Sequence, residues 1–173
     1  MKRKSLSVTK KTLNFYLTKL KDPQVRKLYS LFSNNLASMD LTNKKIMVGV
    51  SGGADSLAVL FFSQCYALKH HTKLYPVIID HKLRKESTIE AKNLKYKLKQ
   101  NFKINCKILS KKIVKINKNI QSYARDLRYD LFFEECNKQK IDYLILGHHK
   151  DDLIENFFIR FLRGSGLKGL VSF

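Results

Sequence analysis

Ile46-Met47-Val48-Gly49-Val50-Ser51-Gly52-Gly53-Ala54-Asp55-Ser56 is the stretch on which the fold turns. Its first five residues are a short apolar run of strand type, and the run breaks into a turn holding two adjacent glycines. Residues 54–69 follow at helical spacing, with Leu57, Leu60 and Phe61 on one side. The same order of strand, loop and helix then recurs. Strands are expected at 74–79, 104–109 and 143–146, and helices at 88–100, 120–138 and 151–163, the fifth of these segments carrying Tyr123, Leu127, Leu131 and Phe132 along one side. Alternating apolar strands and helices predict an α/β fold, a doubly wound parallel sheet of about five strands with helices on both faces. Ligands in such sheets bind beyond the carboxyl ends of the strands. Three polar clusters fall at those ends.

The first cluster is the turn itself. Two glycines allow backbone N–H groups to converge on an anion, and the helix behind them adds the positive end of its dipole. Ser51 and Ser56 add hydroxyls at the same spot. No Gly-Lys-Ser/Thr follows, so this is not a Walker loop, whose lysine serves transfer of the terminal phosphoryl group. A loop carrying Asp55 instead suits a different task, gripping a departing pyrophosphate while the α-phosphate is attacked. Asp55 is then a candidate Mg²⁺ ligand, because a hard cation on phosphate prefers carboxylate oxygen. Asp and Ser are also ordinary choices for a helix N-cap that holds no ligand.

Asp80-His81-Lys82-Leu83-Arg84 follows the second strand and is a candidate nucleotide or substrate contact by its position beside the first loop. The third cluster is Gly147-His148-His149-Lys150-Asp151-Asp152, with Glu155 one turn on. His148, Asp152 and Glu155 are spaced by four and three residues and can share one face at a helix start. Histidine exchanges a proton near neutral pH, and a carboxylate can orient an amine or hold Mg²⁺. Acidic residues in a first helical turn also serve simply as dipole complements. Arg125 and Arg128, three apart on the 120–138 helix, could fork onto phosphate oxygens or form a solvated face.

Composition sets the frame. The 173 residues suit one domain with a proper core, and Lys+Arg 34 against Asp+Glu 14 gives a net charge of +20. That sign suits a polyanionic partner such as nucleic acid, although about half of the excess is the Lys-rich usage of a genome poor in G and C. Cys65, Cys106 and Cys136 contain no Cys-x-x-Cys pair and sit in apolar stretches, as reduced, partly buried thiols would. No segment approaches the roughly 20 apolar residues of a membrane span, and the basic start lacks the apolar run of a signal peptide. A reducing, soluble compartment follows: the cytoplasm, or an organelle stroma or matrix were the gene organellar. Residues 1–44 differ from the rest. Leu13, Tyr16, Leu17, Leu20, Val25, Leu28, Phe32 and Leu36 recur at helical spacing around a break at Asp22-Pro23, which predicts a basic helical extension facing the core or RNA.

Taken together, these motifs resemble those of the tRNA(Ile)-lysidine synthetases, a branch of the N-type ATP pyrophosphatases or PP-loop superfamily. The resemblance is carried by VSGGADS at 50–56, DHKLR at 80–84, ARDLRY at 124–129, GHHKDDLIE at 147–155 and RGSGLKGL at 163–170. SGGxDS alone names the superfamily, and the last two motifs narrow it. The resemblance implies ATP and Mg²⁺ as cofactors, a tRNA(Ile) with a CAU anticodon and free L-lysine as partners, and no membrane; it leaves a homodimer open. The C2 oxygen of the wobble cytidine would attack the α-phosphorus of ATP, and the amino group of lysine would then displace AMP to give lysidine. By position, Ser51, Gly52, Gly53, Ala54, Asp55 and Ser56 would bind ATP, and Asp55 would hold Mg²⁺. Arg128 would contact phosphate or the activated base, and His148, Asp152 and Glu155 would line the substrate side. Members of that family continue past the point matching Phe173, so 45–173 is read as a PP-loop domain incomplete at its C-terminus. Two other readings stand beside this one: a non-catalytic ATP- or RNA-binding remnant, and another PP-loop tRNA modifier such as a 2-thiolase.

Overall fold

The structure is a computed structural model and describes residues 10–39, 41–84, 86–111 and 120–148. Four strands form one parallel sheet: β1 (Lys45–Gly49), β2 (Lys73–Ile79), β3 (Lys107–Leu109) and β4 (Tyr143–Leu146), in the order β3-β2-β1-β4. About five were expected from the sequence; four lie among the described residues. The helices are α1 (Lys10–Lys19), α2 (Pro23–Ala37), α3 (Ala54–His70), α4 (Ser87–Phe102) and α5 (Ile120–Gln139). The helix expected at 151–163 lies outside the described residues.

Each strand alternates its side chains between two cores, as the period of two requires. Ile46, Val48 and Ile78 join the cluster under α3 and α4, while Met47 and Val77 join Phe132 and Cys136 of α5 on the opposite face. The chain steps from β1 to β2 to β3 with its helices on one face. It then crosses back over α5 to place β4 on the other side of β1. A reversal of direction moves the connecting helix to the other face because crossovers of this kind are right-handed. The reversal leaves a crevice between the carboxyl ends of β1 and β4.

β3 is shorter than the 104–109 run suggests. The Ile104 N–H is spent on the Leu98 carbonyl, closing α4, and its side chain is buried, so pairing with β2 begins only at Lys107. Pro76 lies ahead of that pairing, in a part of β2 that meets β1 alone.

α1 and α2 pack onto α3. Asp22 caps α2 by accepting from the Gln24 and Val25 amides, and Pro23 takes the first helical position, where its missing N–H costs nothing. Tyr16, Leu36 and Leu41 are buried in the same cluster as Ile46 and Leu60, and the Tyr16 hydroxyl donates to the Phe102 carbonyl at the end of α4. Cys65, Cys106 and Cys136 are free and buried, as their apolar surroundings predict. Burial pushes the Cys65 and Cys106 thiols up to about 12. Among the described residues no helix is long and apolar enough to cross a membrane.

Candidate functional site

The turn after β1 is held by one hydroxyl. Ser56, in the first turn of α3, is 4% exposed, and its Oγ donates to the Gly53 carbonyl at 2.9 Å. The same oxygen accepts the Ser51 and Gly52 amides at 3.3 and 3.2 Å, with Ser51 Oγ 3.0 Å away. Ser56 therefore shapes the loop from beneath. Gly52 stands at φ +93, a conformation that side-chain-bearing residues rarely adopt, with the Leu94 side chain of α4 against its outer surface. Gly53 is the N-cap of α3 and offers its first-turn amides no side-chain cap, which leaves the positive end of the helix facing outward.

β4 ends directly against this turn. A Cβ built on Gly147 would lie 2.6 Å from both Cα and N of Ser56 and 2.9 Å from the Asp55 carbonyl carbon. These are backbone atoms and cannot rotate aside, so only glycine lets the strand end approach the start of α3.

The crevice opens into a cavity of about 530 Å³, within the size range of small-molecule sites. Ser51, Gly52 and Ser56 form one wall, Ala91 and Leu94 of α4 another, and Arg128 and Phe132 of α5 close it from the other face of the sheet. Gly147 and His148 complete the rim at the end of β4. The topology thus brings Arg128 and His148, far apart in sequence, to the loop at 51–56. Gly53, Ala54 and Asp55 are exposed at the start of α3 and are not among the residues lining the described cavity. Asp152 and Glu155 lie outside the described residues, as do His149, Lys150 and the 163–170 motif. Among the described residues no group of three or more His, Cys, Asp or Glu is placed to hold a metal ion.

The loop after β2 divides its roles. Asp80 is 3% exposed and turned inward; Oδ1 accepts the Lys82 amide at 3.0 Å and Oδ2 the Thr88 hydroxyl at 2.7 Å, tying the loop to α4. Arg84 pairs with Glu90 at 3.1 Å. His81 faces the cavity, and its Nδ1 is buried with no partner among the described residues. Burial and then the nearby Arg128 charge push its pKa below the usual histidine range, against a smaller opposing pull from Asp80. His81 was legible only as part of a charged loop; its orphaned nitrogen and its proximity to Arg128 needed the fold. Arg125 parts company with Arg128, with its guanidinium carbon 6.0 Å from the centre of the Tyr129 ring.

A parallel sheet with a glycine-rich anion turn at its switch point defines a nucleotide-binding α/β domain. The profile of the PP-loop domain matches residues 20–173, and the chain belongs to that family. It is 44% identical over 130 residues to a tRNA(Ile)-lysidine synthase of Orientia tsutsugamushi (strain Boryong), a match covering 75% of this chain and 29% of that protein. It is 36% identical over 151 residues to the tRNA(Ile)-lysidine synthase of Rickettsia rickettsii (strain Sheila Smith), covering 84% and 30%. To that of Wolbachia pipientis wMel it is 38% identical over 143 residues, covering 82% and 33%. The matched segment thus spans about a third of each of these relatives. In fold, the chain is similar to a U34-tRNA thiolase from Methanococcus maripaludis that carries a 4Fe–4S cluster, with a TM-score of 0.65 and 21% identity over 82% of this chain and 53% of that one.

Proposed function

We propose that this chain carries the ATP-binding part of an enzyme that adenylates the wobble cytidine of tRNA(Ile) bearing a CAU anticodon and then joins lysine to it. The observation that carries the reading is the meeting of the 51–56 loop, Arg128 and His148 around one cavity, in a chain so similar to tRNA(Ile)-lysidine synthases. The outward-facing start of α3 would receive the pyrophosphate of ATP. Arg128, reaching the cavity from the opposite face of the sheet, would balance the charge that gathers on the α-phosphate as the cytidine C2 oxygen attacks and pyrophosphate leaves. Lysine would then add through an amino group to C2, with AMP departing on the former C2 oxygen. His148, Asp152 and Glu155 would face that step, a carboxylate holding the ammonium and taking its proton. A Mg²⁺ ion would supply neutralisation of the phosphate charge, and Asp55, a hard oxygen donor exposed at the mouth of the loop, is suited to hold it.

The thiolase alternative gains nothing from the cysteines. Cys65 and Cys106 are buried on one face of the sheet and Cys136 on the other, and burial raises all three thiols away from the reactive thiolate. The enzyme would act in the cytoplasm, with assembly as a homodimer left open.

The test uses the protein in full, with ATP, labelled lysine and a tRNA transcript carrying a CAU anticodon. Lysine should enter the tRNA with one AMP and one pyrophosphate formed per lysine, and a CAU→GAU anticodon change should stop it. Release of ADP and phosphate would overturn the assignment. ATP binding without turnover would instead identify the non-catalytic remnant.

The loop makes a separate prediction. Ser56→Ala removes the oxygen that both the Ser51 and Gly52 amides share, leaving two part-buried donors without it at a cost of about 1 kcal/mol. ATP should then bind roughly tenfold more weakly by calorimetry, about 1.4 kcal/mol. Ser51→Ala loses two hydroxyl contacts, to Ser56 Oγ at 3.0 Å and from the Gly53 amide at 3.4 Å, but at an exposed residue, and should cost less. Equal effects of the two changes would show that Ser56 does not shape the loop.

A further inference from the structure

The lysines of the α4 region divide into two kinds. Lys107 donates to both oxygens of Glu135 at 2.8 Å, and Lys111 pairs with Glu134 at 2.8 Å, so both are tied to α5. Lys95 is half-buried against the core side of α4. Lys92, Lys97, Lys99 and Lys103 remain, all exposed and in no ion pair among the described residues. Spaced by three or four residues, Ile89, Lys92, Tyr96 and Lys99 form one stripe along the outward side of the helix, with Lys97 off it; Lys103, the left-handed residue just past the helix end, donates through Nζ to the Gln100 carbonyl beside the stripe. Tyr96 is 64% exposed and Ile89 60% exposed, with no ring contact for Tyr96 among the described residues. From Ala91 to Arg125 the sequence has no Asp or Glu at all.

The helix on the opposite face of the sheet, α5, is close to neutral. Exposed Asp126, Asp130 and Glu134 stand on α5, so the positive charge of this chain is not spread evenly over its helices. Position adds to the contrast. Glu90, Ala91 and Leu94 of α4 line the cavity, and the stripe starts within a turn of them and runs away from it. At 1.5 Å per residue, Lys92 and Lys99 lie about 10 Å apart along the axis, a separation that adjacent backbone phosphates can bridge.

We propose that the outward stripe of α4, Lys92, Tyr96 and Lys99 with Lys103 just past its end, is where an RNA backbone docks when one of its bases occupies the cavity. The lysines take phosphates, and the Tyr96 ring offers a face for a base or sugar. The proposal rests on the tRNA reading above for the identity of the RNA.

The test compares the full protein with a Lys92→Ala/Lys99→Ala/Lys103→Ala variant, and with a control losing three exposed lysines elsewhere, Lys19→Ala/Lys27→Ala/Lys138→Ala. Binding of a CAU-anticodon tRNA transcript is measured across salt concentrations, and ATP binding separately. The α4 variant should bind the transcript about 10- to 100-fold more weakly, with a log–log salt slope shallower by roughly 2 to 3, and keep its ATP affinity. Tyr96→Ala should weaken binding with no change of slope, and Tyr96→Phe should restore it. In the unmodified protein, bound tRNA should shield Lys92, Lys99 and Lys103 from acetylation. Equal losses in the α4 and control variants, or unshielded α4 lysines, would overturn the docking face. Lysine transfer by the wild type with an α4 variant like the control sinks this proposal alone. RNA binding that depends on α4 without lysine transfer supports the face and sinks the reaction.

Discussion

Asp55→Asn is expected to abolish pyrophosphate release, leaving less than about 1% of the wild-type rate, while the protein stays folded. The physical reason is a conflict of charge. Asp55 sits in the first turn of α3, beside the uncapped helix start that would receive a polyphosphate. A carboxylate there repels phosphate oxygens unless a cation lies between them. If Asp55 serves as that cation's ligand, the amide keeps the shape and loses the charge, and the phosphates lose their neutralising ion. If it only complements the helix dipole, the change costs about 0.3–1 kcal/mol of stability and leaves catalysis largely intact. Measuring pyrophosphate with tRNA and lysine present, alongside a thermal melt, separates the two. A variant with most of its activity and a slightly lowered melting point would remove Asp55 from the site.

Gly147→Ala should damage both the fold and the site. The added carbon would meet the Ser56 backbone at 2.6 Å, so β4 and the start of α3 must move apart. Overpacking of this kind costs about 1–3 kcal/mol when side chains can yield. Here the neighbours are backbone, which places the cost at the upper end and should lower the melting midpoint by roughly 5–10 °C. ATP should bind at least about tenfold more weakly, because the same displacement opens the loop. Gly53→Ala is the control: its Cβ would meet only Ser51 Oγ, at 3.7 Å, and the midpoint should barely change. A Gly147→Ala protein with wild-type melting and ATP affinity would show that β4 does not press on the loop.

Much of this architecture was legible because it rests on local patterns. A strand buried on both faces reads as an apolar run, and the helices from Ala54, Ser87 and Ile120 read from their spacing, so their positions agree with the structure to within two residues. The Asp22-Pro23 break was equally plain, since capping and a missing N–H are properties of neighbours in the chain. The length of β3 was not: Ile104 and Cys106 are as apolar as strand residues, but a hydrogen bond to Leu98 and burial under α4 claimed them first.

For the site, the sequence by itself determined the loop at 51–56, the absence of a Walker lysine and the candidates Arg128 and His148. Motif chemistry is local, and a turn with those residue types has few other uses. Only the tertiary structure decided what each group faces. The strand order brings α5 back across the sheet, so Arg128 points into the cavity while Arg125, three residues earlier, lies near Tyr129. Packing turns Ser56 inward as the support of the loop and Asp80 inward as a tie to α4, and among the described residues it leaves His81 with an unpartnered nitrogen near Arg128. It also demands glycine at 147 for a contact with residues 91 positions earlier. Such choices depend on close approach between segments remote in the chain, and spacing within one segment carries no record of them.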